Sequence, residues 1–150
     1  MVEILLGRSD INPDKPDNKG RTPLCRAAWT GHQGVVEMLL ERDDIDPDRA
    51  DNKGRTPLWV AASVGCEGVA KMLLERDDVN PDTPNINGRT PLWWAARDGH
   101  EGVVKILLAR GVSPDKPDIY GQAPLFWAVE NGHKGVTALL QPPECVAPSL

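Results

Sequence analysis

Apart from tryptophan, this chain has almost no aromatic residues: one tyrosine and one phenylalanine stand beside five tryptophans. Cysteine is scarce too. Cys25, Cys66 and Cys145 are an odd number at unrelated spacings, with no Cys-x-x-Cys pair. That points to a reducing compartment and a cytoplasmic or nuclear location, with one intermolecular disulfide left open. No run of 18 apolar residues occurs, so no membrane-spanning helix is expected. The opening MVEILLGRSD lacks both a positive region and a long apolar segment, and is not expected to act as a secretory leader. Basic residues number 17 against 22 acidic ones, for a formal charge of −5. General binding to phosphate backbones wants the opposite balance, so neither nucleic acid nor membrane is expected as a partner.

What the chain does have is the same sentence several times over. Residues 87–108 read NGRTPLWWAARDGHEGVVKILL, residues 52–74 NKGRTPLWVAASVGCEGVAKMLL and residues 18–40 NKGRTPLCRAAWTGHQGVVEMLL, with a looser copy at 119–140. Pro23, Pro57, Pro91 and Pro124 set the period, two steps of 34 residues and one of 33. Residues 17–50 and 51–84 match at roughly two-thirds of their positions. Such a period signals a stacked array, in which each unit buries its apolar face on its neighbours.

Each copy spells two helices. Thr22, Thr56 and Thr90 offer a capping hydroxyl, and a proline follows at the first helical position, where no N–H is needed. Gly31, Gly65, Gly99 and Gly132 end this short helix. The pairs Ala27–Ala28, Ala61–Ala62 and Ala95–Ala96 keep the helix slim enough for close packing. A second helix follows with Val103, Val104, Leu107 and Leu108 at helical spacing and Lys105 facing water. The connections, DIDPDRADNKG and DVNPDTPNING, are turns. Asp-Asp in the first two full copies gives way to Gly111 in the third, which accounts for the shorter period.

Gly-x-Thr-Pro-Leu, then Ala-Ala, then Gly-His, then a Val/Leu-rich segment resembles the ankyrin repeat, a unit of about 33 residues with a T-P-L-H-x-A core. The resemblance implies an all-α solenoid of stacked helix-turn-helix units with hairpin-like loops and a concave surface that holds other proteins. The array is expected over residues 1–141: a partial repeat at 1–16, full repeats at 17–50, 51–84 and 85–117, a capping-like repeat at 118–141, then a tail at 142–150. Residues 2–14 align with 36–48, so the chain is expected to open inside a repeat as part of a longer array, a degenerate cap being the alternative. Val2, Leu5 and Leu6 at that end offer a route to end-to-end self-association. In the last copy Thr137 and Gln141 replace an apolar pair four residues apart, as on the polar outer face of a terminal repeat. Ala123 replaces its capping threonine, which should weaken it.

Catalytic chemistry finds no residues. His32, His100 and His133 share one slot with Cys66, but members a repeat apart lie roughly 10 Å from each other, whereas zinc needs ligands at about 2.0–2.3 Å. They read as turn residues. No phosphate-binding glycine loop, nucleophile elbow or calcium loop appears. No cofactor, metal or enzyme activity is therefore expected. After Thr-Pro-Leu, where the family pattern has histidine, stand Cys25, Trp59, Trp93 and Phe126. The hydrogen bonds of that histidine are expected to be replaced by aromatic packing, with Trp59, Trp93, Trp94 and Trp127 filling the space between repeats. Arg26 breaks the apolar column formed by Val60, Trp94 and Trp127.

By resemblance, a protein partner would meet the loop tips and the exposed side of each first helix. Those positions vary most between copies, and hot spots favour Trp, Tyr and Arg. Trp29, Arg55, Arg89, Arg97 and Tyr120 are therefore the candidates, with Ile86 and Ile119 as apolar support. The competing view of Arg21, Arg55 and Arg89 is a solvated ladder paired with nearby acids. The expected function is a non-catalytic protein-interaction module. The alternative is a sensing or autoinhibitory arm of a larger signalling protein, since the repeats resemble those of large fungal immune-receptor-like proteins. A nucleotide-binding segment upstream would favour the latter.

Overall fold

A computed structural model describes residues 11–143, which form eight α-helices joined by turns, with no strand among the described residues. They come in pairs: α1 (Pro23–Thr30) with α2 (Gln33–Leu40), α3 (Pro57–Ser63) with α4 (Glu67–Leu74), α5 (Pro91–Asp98) with α6 (Glu101–Ala109), and α7 (Pro124–Glu130) with α8 (Lys134–Leu140). The first helices α1, α3, α5 and α7 pack on one another in order as one layer, and α2, α4, α6 and α8 as a second. The result is an all-α solenoid. Val2, Leu5 and Leu6 of the opening segment, and the tail from Glu144 onward, lie outside the described residues.

Local chemistry explains where each first helix begins. Thr22, Thr56 and Thr90 hold extended backbone, and their hydroxyls accept the N–H of Cys25, Trp59 and Trp93 at 3.2, 3.1 and 3.1 Å. All three threonines are fully buried, so these bonds satisfy donors that water cannot reach. Ala123 supplies no such bond; the N–H of Phe126 turns instead to the Ala123 carbonyl at 3.1 Å.

The reversal into the second helix is tied to the next repeat. Gly99 has φ +76°, and a Cβ there would sit 2.5 Å from Nδ1 of His133. The other ring nitrogen of His133 donates to the Arg97 carbonyl at 3.0 Å, and His100 reaches back to Ser63 in the same way at 3.3 Å. Each imidazole thus rests on the turn of the preceding repeat and caps a carbonyl at the end of its first helix. At the first boundary Cys66 takes the same slot, with its Sγ 3.5 Å from where a Cβ on Gly31 would sit.

The core lies between the layers. Leu24, Leu58 and Leu92 are fully buried, as are Leu73 and Leu107 from the second helices, each worth about 1.5–3 kcal/mol relative to exposure. The buried alanine pairs let first helices approach closely. On the far side, Arg42 and Arg76 fold onto Asp44 and Asp78, both at 2.7 Å. Arg76 also donates to the Leu40 carbonyl of the preceding repeat at 2.7 Å. In the third repeat Gly111, at φ +77°, replaces that arrangement, and α6 has nine residues where α2 and α4 have eight.

Candidate protein-binding surface

Each hairpin-like tip is organised by one side chain. The Oδ1 atoms of Asp17, Asp51, Asn85 and Asp118 each accept two backbone N–H groups, those two and four residues ahead, at 2.9–3.1 Å. Neighbouring tips are joined by backbone bonds: Asn52 N–H to Lys19 O at 3.1 Å, Ile86 N–H to Lys53 O and Ile119 N–H to Asn87 O, both at 3.0 Å. The tips therefore form one preformed edge.

Along that edge the arginines are partly committed. Arg21 pairs with Asp17 and Arg55 with Asp51, both at 2.6 Å. Asn85 carries no charge, so Arg89 reaches into the next repeat and pairs with Asp118 at 3.3 Å. The bond from Arg21 holds the Asp17 carboxyl down to about 2. Burial pushes Asp51 up, but bonds from Arg55 and from backbone N–H groups outweigh it and leave the carboxyl below its usual range. Arg89 also lies over the Trp93 ring at 4.4 Å, and Arg97 over Trp94 at 4.7 Å. The side chains of Arg55 and Arg89 are only 24% and 23% exposed. Each supports the edge and presents one flank to solvent.

Behind the edge runs an aromatic column. Trp59, Trp94, Trp93, Trp127 and Phe126 meet edge to face in that order, with centroids 5.3–5.5 Å apart, the spacing such rings prefer. The expectation that the hydrogen bonds at the family's histidine position are lost needs correction. Trp59 Nε1 donates to the Arg89 carbonyl at 2.8 Å and Trp93 Nε1 to the Gln122 carbonyl at 3.0 Å. Cys25 Sγ stands 3.9 Å from the equivalent carbonyl of Arg55. An indole N–H can do this because the ring is long enough to cross the repeat boundary. Trp94 and Trp127 differ also: they are half-buried rather than core, and their Nε1 atoms are buried without a hydrogen-bond partner among the described residues.

The structure places Trp29, Ile86, Ile119 and Tyr120 in solvent, 56%, 66%, 61% and 70% exposed. Ile86, Ile119 and Tyr120 share the tip edge with Arg55 and Arg89, while Trp29 and Arg97 stand on first helices. Phe126, Val129 and Val64 are exposed on the same layer. Phe126 was hard to foresee because its slot is occupied by buried tryptophans in two other repeats; no further first helix covers it among the described residues. Arg26 is exposed on α1 and lines a cavity of about 110 Å³ with Arg21, Cys25, Trp29, Asp51, Arg55 and Val60. That volume suits one side chain, since small-molecule sites run to about 300–1,000 Å³.

Among the described residues no group of three or more His, Cys, Asp or Glu is placed to hold a metal ion, and no helix is long and apolar enough to cross a membrane. A sequence model described as ankyrin repeats (3 copies) matches residues 1–85 and 75–147. No curated protein matches the chain. Ankyrin repeats are generally protein–protein interaction modules and typically non-catalytic. With stacked helix pairs, linked hairpin tips and a family pattern covering most of its length, the chain belongs to the ankyrin repeat family.

Proposed function

We propose that this chain is a non-catalytic module that holds a partner protein along its hairpin tips and the exposed side of its first helices. One observation carries the reading. All seven exposed large hydrophobic residues among those described (Trp29, Val64, Ile86, Ile119, Tyr120, Phe126 and Val129) belong to tips, to first helices or, for Val64, to the residue that ends one, and none to the second helices. The second helices also have a solvent face, filled by groups such as Lys71, Glu75 and Lys105. A merely solvated shell would scatter its apolar side chains over both layers, whereas apolar exposure gathered on one layer is what an interaction site needs.

Within this face Trp29, Ile86, Ile119 and Tyr120 supply apolar contact, Arg97 a partly exposed cation, and Arg55 and Arg89 the rigid flank. The hydrogen-bonded tips require little backbone change on binding. The test is affinity capture of partners by the wild-type chain, then by Trp29→Ala, Arg97→Ala and Tyr120→Ala, with Lys71→Ala and Lys105→Ala as controls on the other layer. Loss of the same captured protein in the first group alone is expected. Equal capture by all variants, or equal loss in the controls, rejects this face.

A further inference from the structure

The two layers carry opposite charge. Through residues 17–30, 51–64 and 85–98, which make the tips and first helices of three repeats, seven Lys and Arg face three acids. Through residues 31–50, 65–84 and 99–117, which make the second helices and rear connections of the same three repeats, seven bases face thirteen acids, the excess coming from the first two. A chain with net charge −5 thus keeps a basic groove on its apolar side. The charge is graded along the groove too: residues 118–130 contain Asp118 and Glu130 and no base.

At the basic end stands a cation without a carboxylate partner among the described residues. Arg21, Arg55, Arg89 and Arg97 each have a carboxylate within 4 Å, whereas Arg26, exposed on α1, has none among the described residues. Arg26 borders the 110 Å³ cavity beside Trp29, which is 56% exposed. The acid in that lining, Asp51, is fully engaged: one oxygen accepts two backbone N–H groups and the other accepts Arg55. Among the described residues the cavity therefore presents an unpaired guanidinium next to an exposed indole, with its one acid already compensated.

Resting on the binding-module reading, we propose that the groove takes an extended acidic peptide segment of the partner. A carboxylate of that segment pairs with Arg26 against the face of Trp29, and apolar side chains run on toward Trp94, Phe126 and Val129. Four first helices in three steps of roughly 10 Å span about 30 Å, the reach of about nine extended residues. Guanidinium and carboxylate match as a two-pronged pair. Charge complementarity favours this occupant over a basic or purely apolar segment, and it also steers encounter.

The test is selection of a random ten-residue peptide display library on the intact chain, on Arg26→Glu and on Trp29→Ala. Selected peptides from the wild type are expected to be rich in Asp and Glu beside aliphatic residues. Arg26→Glu is expected to reverse that preference toward Lys and Arg, and Arg26→Gln to weaken a selected acidic peptide about tenfold, with Gln-for-Glu peptides losing as much on the wild type. Peptides selected without acid enrichment, but still lost in Trp29→Ala, overturn the acidic occupant while leaving the binding module standing. No selection at all, or preference for a duplex oligonucleotide over every peptide, overturns both.

Discussion

Two tryptophans side by side in the sequence should answer the same substitution very unequally. Trp93→Phe and Trp94→Phe remove the same atoms from adjacent positions of α5. Trp93 is 1% exposed and donates its indole N–H to the Gln122 carbonyl at 3.0 Å. Loss of that bond costs about 0.5–1.5 kcal/mol; the carbonyl keeps its second donor, Asp118 N–H, which holds the cost to that range. The void left in a closed site adds about 1–2 kcal/mol. Trp94 is half-buried and its Nε1 is buried without a partner among the described residues. Removing an unsatisfied donor returns about 1–3 kcal/mol of desolvation, which offsets the lost ring area. The stacked arginines, Arg89 on Trp93 and Arg97 on Trp94 at 4.4 and 4.7 Å, lose similar attraction and nearly cancel. Trp93→Phe is therefore expected to destabilise by about 2–3 kcal/mol and Trp94→Phe to fall near zero. At roughly 2–4 °C per kcal/mol for a chain of this length, their melting temperatures should differ by about 4–12 °C. Far-UV circular dichroism during heating, with urea titration as a second measure, reads the difference. Equal losses, or a larger loss for Trp94→Phe, would show that the crossing hydrogen bond does not organise this boundary.

Glycine positions that look alike in sequence should also part company. Gly99→Ala forces a left-handed backbone onto alanine, a cost of about 1–2 kcal/mol, and drives its Cβ into His133. Gly34→Ala, inside α2 with open space around it, is expected to gain up to about 1 kcal/mol; urea midpoints moving in the same direction would refute this contrast. Ala123→Thr should restore the missing cap of α7 and raise stability by about 0.5–2 kcal/mol, seen as slower amide exchange at Phe126; unchanged exchange would count against it. Burial pushes the Asp48 carboxyl above its ordinary 3.8, aided by Asp46 and Asp78 although Asn80 N–H opposes it. The folded state then binds the proton more tightly than the unfolded one, so ionised Asp48 costs stability at neutral pH, and that cost vanishes as pH falls below 3.8. Asp48→Asn should raise the urea midpoint at pH 7 and lose the advantage by about pH 3; a gain that grows with acid would contradict the sign.

Most of the scaffold was legible because its rules are local. Thr90 before Pro91 names a helix start, since the hydroxyl reaches an N–H three residues on. Gly99 names its end, because few other residues adopt φ +76°. The tip residues Ile86, Ile119 and Tyr120 were legible as surface from their place in a turn, and they stand exposed. Less legible were positions whose neighbours come from another repeat. Phe126 and Trp93 share a slot, yet one is exposed and the other buried, because only Trp93 has a first helix stacked beyond it among the described residues.

The amino-acid sequence by itself determined the period, the helix pairs and the family, since capping, helix-breaking and side-chain periodicity act over three or four residues and repeat with the chain. Only the tertiary structure decided which groups meet across boundaries 29 to 37 residues apart: Trp93 with the Gln122 carbonyl, Arg89 with Asp118, His100 with Ser63. Those choices depend on how far each side chain reaches once neighbouring units are stacked. They also decided that Arg26, alike in type to Arg21 and Arg55, stands without an acid beside it among the described residues.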